Sequence, residues 1–473
     1  MLRIFKHHIP VWSLIELLAD GLLCFVAVLL AVARVPGGSL VQRHPALMSS
    51  EVLLCASAFA AFMALLYAFA GLYRQSAIRV SLRALFGRGL VAVSMGSLIA
   101  YVALQRQGVD QYALVLLVYA VPVMAIGVVA VRGVGYLGRR AAVGTRRVLI
   151  VGTGPEAQNV AVDLASGSAA GRYTVVGFYP TQTAATASES LFGLPAPVFP
   201  AATSIDEVVR RQRVDEVIVA VREQRGGGVP MDQLLACRIR GIPVLDLAGF
   251  FERVKGEVPT DSLKASWLVY GHGFVQDSLR TWVKRQFDIA ISLLLLLLAL
   301  PVMLLTVIAI KFDSRGPVLY RQERVGLRGQ SFMCLKFRSM SVDAEKDGVA
   351  RWATKNDARV TRVGAFIRKC RIDELPQLIS VLRGEMSLVG PRPERPSFVQ
   401  QLQSEIPFYD IRHSVKPGVT GWAQVRYSYG ASVEDARRKH QFDLYYVKNH
   451  SLFLDLLVIV ETVSVVLFRE GAQ

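Results

Sequence analysis

Four apolar stretches occupy most of the first 131 residues, at about 9–33, 52–73, 89–104 and 111–131, and they limit this chain more than any other feature. The second and fourth carry no charge and are long enough to cross roughly 30 Å of hydrocarbon. The first contains Glu16 and Asp20, and the third is short. No small-residue cleavage site follows the first stretch, so it is expected to remain as an anchor. Basic residues alternate between the connections. Eleven lie before the first stretch, between the second and third, and after the fourth, Arg132 among them, against three in the other two connections. The positive-inside rule then predicts that both ends of a four-helix unit face the cytoplasm. The whole composition agrees: 52% of the 473 residues are apolar and only 19% charged, below the ~25% of soluble domains. Lys and Arg number 54 against 37 Asp and Glu, a net charge of +17 that suits anionic lipid or phosphorylated partners. Disordered and collagenous chains are excluded. Five scattered cysteines without a Cys-x-x-Cys pair suggest neither a disulfide framework nor a zinc site, and fit a reducing compartment.

A fifth apolar run, Ile289–Ile310, has no charge, but Pro301 follows Leu300 near its middle and both flanks are basic. Arg280, Lys284 and Arg285 precede it; Lys311, Arg315, Arg321 and Arg324 follow. A plain span would strand one cluster outside. A helix over 286–311 that bends at Leu300–Pro301 and re-enters the cytoplasmic face satisfies both. The last run, Ser451–Phe468, holds Asp455 and Glu461 and reads as an interfacial or packed helix.

The chain therefore divides into four transmembrane helices (1–140), a middle domain (141–260), a linker (261–285) and a C-terminal domain (286–473). In the middle domain, strands are predicted at 146–151, 173–178, 217–221 and 242–245, alternating with helical patterns, which argues a Rossmann-like α/β fold. Gly152-Thr153-Gly154-Pro155-Glu156-Ala157 follows the first strand as a GxGxxA cue for a dinucleotide. The second strand, however, ends in Phe178-Tyr179-Pro180 where a ribose-binding acid belongs, so the glycines are expected to serve only a tight turn and the domain a structural or regulatory role. Thr181–Ser190 is small and polar and predicts a mobile loop.

Chemistry concentrates after the fifth run, in ordered basic motifs. Leu335-Lys336-Phe337-Arg338-Ser339-Met340 reads as strand-like. In Arg368-Lys369-Cys370-Arg371-Ile372-Asp373-Glu374-Leu375-Pro376, a helix is predicted over about 374–383, with Asp373 at its N-cap, Pro376 in its first turn and Gly384 ending it. A lone Asp-Glu at a helix start does no more than cap it and complement its dipole. This pair keeps different company: Arg368 and Arg371 precede it, and Lys336, Arg338 and Arg392 are candidates to converge on it. Such a ring of cations at a helix mouth is an anion site. Adjacent carboxylates can hold Mg²⁺ through Asp373 and Glu374, and an Asp can attack phosphorus to give an acyl-phosphate. Gly390-Pro391-Arg392-Pro393-Glu394 predicts a rigid turn presenting one Arg, and Lys416–Gln424 a tight loop beside Trp422.

KFRSM (336–340), DELPQL (373–378), VGPRPE (389–394) and KPGVTGWAQ (416–424), in that order, resemble the bacterial sugar transferases that start glycan assembly on a lipid carrier, the polyprenyl-phosphate hexose-1-phosphate transferases. The likeness is strongest from about 280 to 473; the four spans and the α/β domain look like the family's long form. The resemblance implies an α/β monotopic catalytic domain held by a re-entrant helix broken at Pro301, with Leu300 where some members have Ser. It implies a ping-pong reaction in which Asp373 takes sugar-phosphate from a UDP-sugar, expels UMP and passes the sugar-phosphate to polyprenyl (undecaprenyl) phosphate. This is the first step of exopolysaccharide synthesis. Asp373 and Glu374 match the catalytic dyad, with Mg²⁺ at Asp373. Arg368 and Arg392 match phosphate- and nucleotide-binding arginines, and Lys336 and Arg338 are helpers. It also implies the bacterial inner membrane with its lipids as partner, a catalytic domain facing the cytoplasm, and a homodimer through the front half. Two other readings are weaker. A membrane-anchored nucleotide-sugar epimerase or dehydratase needs Tyr-x-x-x-Lys, which none of the 15 tyrosines begins. A non-catalytic scaffold of a polysaccharide complex leaves the dyad and arginines without purpose. No aromatic-basic motif points to nucleic acid.

Overall fold

The computed structural model describes residues 2–4, 7–9, 11–34, 49–73, 82–106, 110–141, 145–165, 173–181, 196–221, 229–260, 263, 274, 277–344, 357, 359–427, 430 and 432–468. The chain forms two compact units, one of residues 1–4 and 8–255 and the other of residues 5–7 and 256–473. The chain enters the second unit ahead of the domain end expected at 260. The mobile loop expected at 181–190 falls outside the described residues from 182 onward, as does most of the 261–285 linker.

The first unit opens with helices α1 (Val11–Val32), α2 (Ser50–Phe69) and α3 (Leu82–Arg106). The next helix, α4, runs as Asp110–Val115, a π-helical turn Leu116–Ala120, and Val121–Ala141. All four are long and apolar enough to cross a membrane. The third stretch, short by sequence, gains its length because Leu82–Arg88 and Arg106 join the helix. Helix α1 packs on α2 and α4, and α3 on α2 and α4. Small residues line these contacts (Ala27, Ala31, Ala56, Ala60, Ala92, Ala120), as in helices packed within lipid, while Leu18, Leu22, Leu54, Leu98 and Ile126 face outward.

The charges that made the first stretch irregular are paired inside the helices. Arg132, 1% exposed, sits 3.3 Å from Glu16 and 2.5 Å from Asp20, and the Tyr73 hydroxyl donates to Asp20 at 2.7 Å. This corrects the sequence reading of Arg132 as a loop charge: a guanidinium on an apolar helix is buried only with carboxylates to receive it.

The α/β domain runs β1 (Arg146–Val151), α5 (Pro155–Ala165), β2 (Tyr173–Tyr179), α6 (Ile205–Arg211), β3 (Glu216–Val219), α7 (Met231–Ile239), β4 (Val244–Asp246) and α8 (Leu247–Val254). Its sheet is parallel in the order β2-β1-β3-β4. Alternation along β1 divides the core: Val148 and Ile150 pack under α5 and α8, Leu149 and Val151 under α6 and α7. The Rossmann-like expectation holds at every strand, with ends shifted by a residue or two.

The second unit begins with α9 (Ser278–Asp313), capped by the Asp277 side chain. It is apolar enough to cross a membrane. It runs through Leu300 and Pro301 as one helix, so the break expected there is at most a bend. A hairpin follows, β5 (Leu319–Val325) antiparallel to β6 (Ser331–Phe337). Then come α10 (Arg362–Lys369), a 3₁₀ turn Ile372–Glu374, α11 (Gln377–Arg383), β7 (Ser387–Val389), α12 (Pro396–Glu405), a 3₁₀ turn Tyr409–Ser414, β8 (Gly418–Thr420), α13 (Trp422–Arg426), α14 (Val433–Asn449) and α15 (Leu452–Phe468). Strands β7 and β8 pair in parallel. The core gathers Val381, Leu388, Val389, Trp422, Tyr445, Leu454 and Val458. In α15, Asp455 is buried against Lys284 (2.6 Å) and Glu461 against Arg426 (2.7 Å), which settles it as a packed helix.

Candidate active site

Helix α10 ends at Lys369, and Arg371 takes a left-handed backbone (φ 59°) uncommon for a residue with a side chain. That reversal turns Ile372–Glu374 into a single 3₁₀ turn, and α11 starts only at Gln377, with Pro376 in the cap position. Asp373 is therefore not the N-cap expected from the sequence. Gly384 ends α11 in the left-handed conformation (φ 86°), as its position predicts.

Asp373 and Glu374 are both buried, and they are treated unequally. Oε1 of Glu374 accepts from Lys336 Nζ at 2.9 Å and from Arg392 Nη2 at 2.6 Å, while Arg371 lies 3.8 Å from Oε2. Burial alone would raise the Glu374 pKa; Arg392, Lys336 and Arg371 outweigh it and hold this carboxyl well below its usual range. Asp373 makes no hydrogen bond or ion pair with another described residue. Burial, then the charge of Glu374, pushes its pKa up against the pull of Lys336, Arg392 and Arg371. A bare carboxylate thus stands next to a clamped one, among three cations.

Strand β6 supplies Lys336 by alternation beside the buried Cys334. Arg392 is held by its backbone. The carbonyls around it all have donors: Pro391 takes Gly418 N (2.9 Å), Arg392 takes Arg412 Nη2 (2.9 Å), Pro393 takes Arg324 Nη1 (3.0 Å) and Glu394 takes Val325 N (2.9 Å). Pro391 and Pro393 remove backbone freedom on either side. Upstream, the Val389 carbonyl receives Tyr446 Oη at 2.9 Å and Lys284 Nζ at 3.4 Å, and Asp288 accepts from Leu388 N at 3.3 Å. The foot of α9 is in this way bonded to the strand that leads into the Arg392 turn.

Other expected residues lie elsewhere. Arg338 does not join the ring: it is buried, with its guanidinium on Ser314 O, Ser314 Oγ and Arg315 O, all at 2.8 Å, where it ties down the end of α9. The hairpin stops at Phe337, so the alternation that aims Lys336 does not extend to it. Arg368, in the last turn of α10, makes no hydrogen bond or ion pair to either carboxylate. Glu394 faces Arg324 at 3.6 Å. Sequence reasoning did not single out Arg412, which pairs with Asp443 (2.9 Å) and Tyr409, nor Tyr446, which donates to Asp455. Burial pushes Asp443 up to about 6 in spite of Arg412. The available signal was the polar, aromatic-laced run of α14, which resembles a solvated helix and is buried from His440 to Val447.

The family described as bacterial sugar transferase matches residues 279–469, and that described as CoA-binding domain matches residues 68–227. A UDP-N-acetylgalactosamine-undecaprenyl-phosphate N-acetylgalactosaminephosphotransferase of Aeromonas hydrophila is 42% identical over 55% of this chain and 61% of its own. A UDP-glucose:undecaprenyl-phosphate glucose-1-phosphate transferase of Escherichia coli K12 is 44% identical over 38% and 39%. A UDP-galactose-lipid carrier transferase of Erwinia amylovora is 34% identical over 69% of each chain. The first two are thus matched over less than two thirds of their length. The Gly152–Gly154 turn is closely packed on the neighbouring strand. A Cβ on Gly152 (φ +122°) would sit 2.7 Å from Ala220 O, the Glu156 carboxylate reaches to within 3.4 Å of a Cβ on Gly154, and Tyr179 Oη is spent on Ala201 O (3.3 Å) and Thr203 O (2.9 Å). Matched across its C-terminal unit, and at 34% identity over 69% of a relative's length, the chain belongs to the bacterial sugar transferase family.

Proposed function

We propose that this protein transfers sugar-1-phosphate from a UDP-sugar to polyprenyl phosphate at the cytoplasmic face of the membrane, releasing UMP, with Asp373 as covalent nucleophile. One observation carries the reading: Glu374 takes Lys336 and Arg392, and Asp373 has no hydrogen-bond or ion-pair partner among the described residues. An oxygen of Asp373 attacks the sugar-linked phosphorus. The bond to the bridging oxygen breaks, UMP leaves with that electron pair, and an acyl-phosphate remains. An oxygen of polyprenyl phosphate then attacks the same phosphorus and Asp373 departs as carboxylate. Lys336, Arg371 and Arg392 offset the negative charge that gathers at the phosphates. Asp373 fits as a ligand for Mg²⁺, which takes few protein carboxylates and completes its shell with phosphate and water. Glu374 fits less well, because Oε1 is already occupied. When bound, Mg²⁺ would neutralise phosphate charge.

The outward leucines of α9 and basic residues at both of its ends support a helix that enters and leaves on one side, with the nucleophile at head-group level where the acceptor phosphate lies. The test is UMP release by membranes supplied with UDP-glucose, UDP-galactose or UDP-N-acetylgalactosamine, with and without polyprenyl phosphate. Release from one donor is expected, with sugar appearing in the lipid only when acceptor is present. Release absent from every donor refutes the reading.

A further inference from the structure

The peptide that enters the second unit, Gly256-Glu257-Val258-Pro259-Thr260, is built into that unit's core. Val258 is fully buried among Trp422, Leu388, Val389 and Tyr445, and its N–H donates to Gln441 O at 2.9 Å. Glu257, 1% exposed, pairs with Arg438 at 3.2 Å, and Thr260 Oγ1 accepts from Gln441 at 3.4 Å. Gly256 adopts φ +66°, and its carbonyl accepts from Trp422 Nε1 at 2.7 Å. A Cβ on Gly256 would sit 2.9 Å from the indole. The ring is fixed on its other sides by Tyr445, stacked at 5.6 Å, and by Arg426 at 4.2 Å.

Trp422 is the first residue of α13, immediately after a loop that meets the Arg392 turn backbone to backbone. A Cβ on Gly421 would lie 2.2 Å from Gly390 O, and one on Gly418 2.1 Å from Gly390 N. Gly390 N donates to Thr420 O, and Gly418 N to Pro391 O, both at 2.9 Å. With no side chain between the two turns, displacement of one displaces the other.

We propose that residues 256–260 are a strap that seats the Trp422 indole and through it holds the Gly390–Glu394 turn in place, so that Gly256, Val258 and Trp422 are positioning residues for Arg392. The proposal rests on the reading of Arg392 as part of the site, and two measurements on the full-length protein separate the two. The first is hydrogen exchange in Trp422→Phe, which keeps an aromatic ring but loses the indole donor to Gly256 and part of the ring's buried volume, and in Gly256→Ala. Exchange at Gly390 and Gly418 is expected to quicken by about tenfold while β1 and β3 of the α/β domain are unchanged. Unchanged exchange at those two glycines, or equal acceleration everywhere, overturns the strap. The second is a double-mutant cycle on UMP release. Trp422→Phe is expected to lower kcat/KM about tenfold in the native background and to have little effect in Arg392→Lys. Equal losses in both backgrounds overturn the positioning role. Quickened exchange in the variants, with a native protein that turns over no donor, supports the strap and sinks the reading of the site.

Discussion

Two buried clusters in this molecule are made from the same parts and arranged to opposite ends. In the apolar helices, Glu16 and Asp20 share Arg132, and Tyr73 adds its hydroxyl to Asp20. Both acids are engaged, and the result is a bond between helices. In the second unit, Glu374 takes Lys336 and Arg392, while its neighbour Asp373 has no partner among the described residues. Sharing the cation consolidates a fold. Concentrating the cations on one acid leaves the other unpaired among the described residues and close to positive charge.

The contrast breaks most sharply at Asp373. Asp373→Asn is expected to lower UMP release by about 10⁴-fold or more, as removal of a covalent nucleophile does. It should not lower stability, because no bond to a described residue is lost. The pKa of Asp373 is raised on folding, so its ionisation opposes folding as pH climbs through the folded value, and the amide removes that penalty. Unfolding midpoints across pH 5–8 check this; a variant that falls apart, or that still releases UMP, ends the distinction. Arg132→Met should show the reverse. Two carboxylates left buried cost about 3–5 kcal/mol, read by unfolding in detergent, with turnover per folded molecule unchanged. Lys336→Met sharpens the comparison. Lys336 pulls the Asp373 pKa down, so its loss should move the acid limb of kcat/KM to higher pH, and a limb that stays in place argues that Asp373 does not titrate there. The depressed Glu374 gives the opposite dependence: its contribution to stability is present above the ordinary glutamate range and is lost as pH falls through the folded value. Tyr446→Phe, which removes a donor from Val389 O and from Asp455, is expected to cost about 1–2 kcal/mol and a few-fold in turnover.

The sequence makes much of this visible and hides the rest for identifiable reasons. Period-2 alternation aims Lys336, and paired prolines announce the Arg392 turn. Apolar runs give the five long apolar helices among the described residues. Asp373 is found as a residue and misplaced as a cap, because the left-handed Arg371 that starts the 3₁₀ turn carries no glycine or asparagine to advertise it. Arg338 differs from Lys336 only by two positions along the chain, yet the hairpin's end sends it to the foot of α9. Arg132 counts as a loop charge until the helix carrying it is known to extend to Ala141. Arg412 and Tyr446 act through contacts between segments distant in sequence, which no spacing records.

The place where the chain changes units bears on how the protein can be divided in the laboratory. The natural-looking cut, just before the helix that opens at Ser278, would discard a valine with no exposed surface and open a gap under an aromatic ring. Burial of one such side chain is worth about 1.5–3 kcal/mol, a large share of a small domain's margin. A shortened protein meant to keep its chemistry should therefore begin upstream of Gly256, carrying a few residues that look like spacer and behave as core.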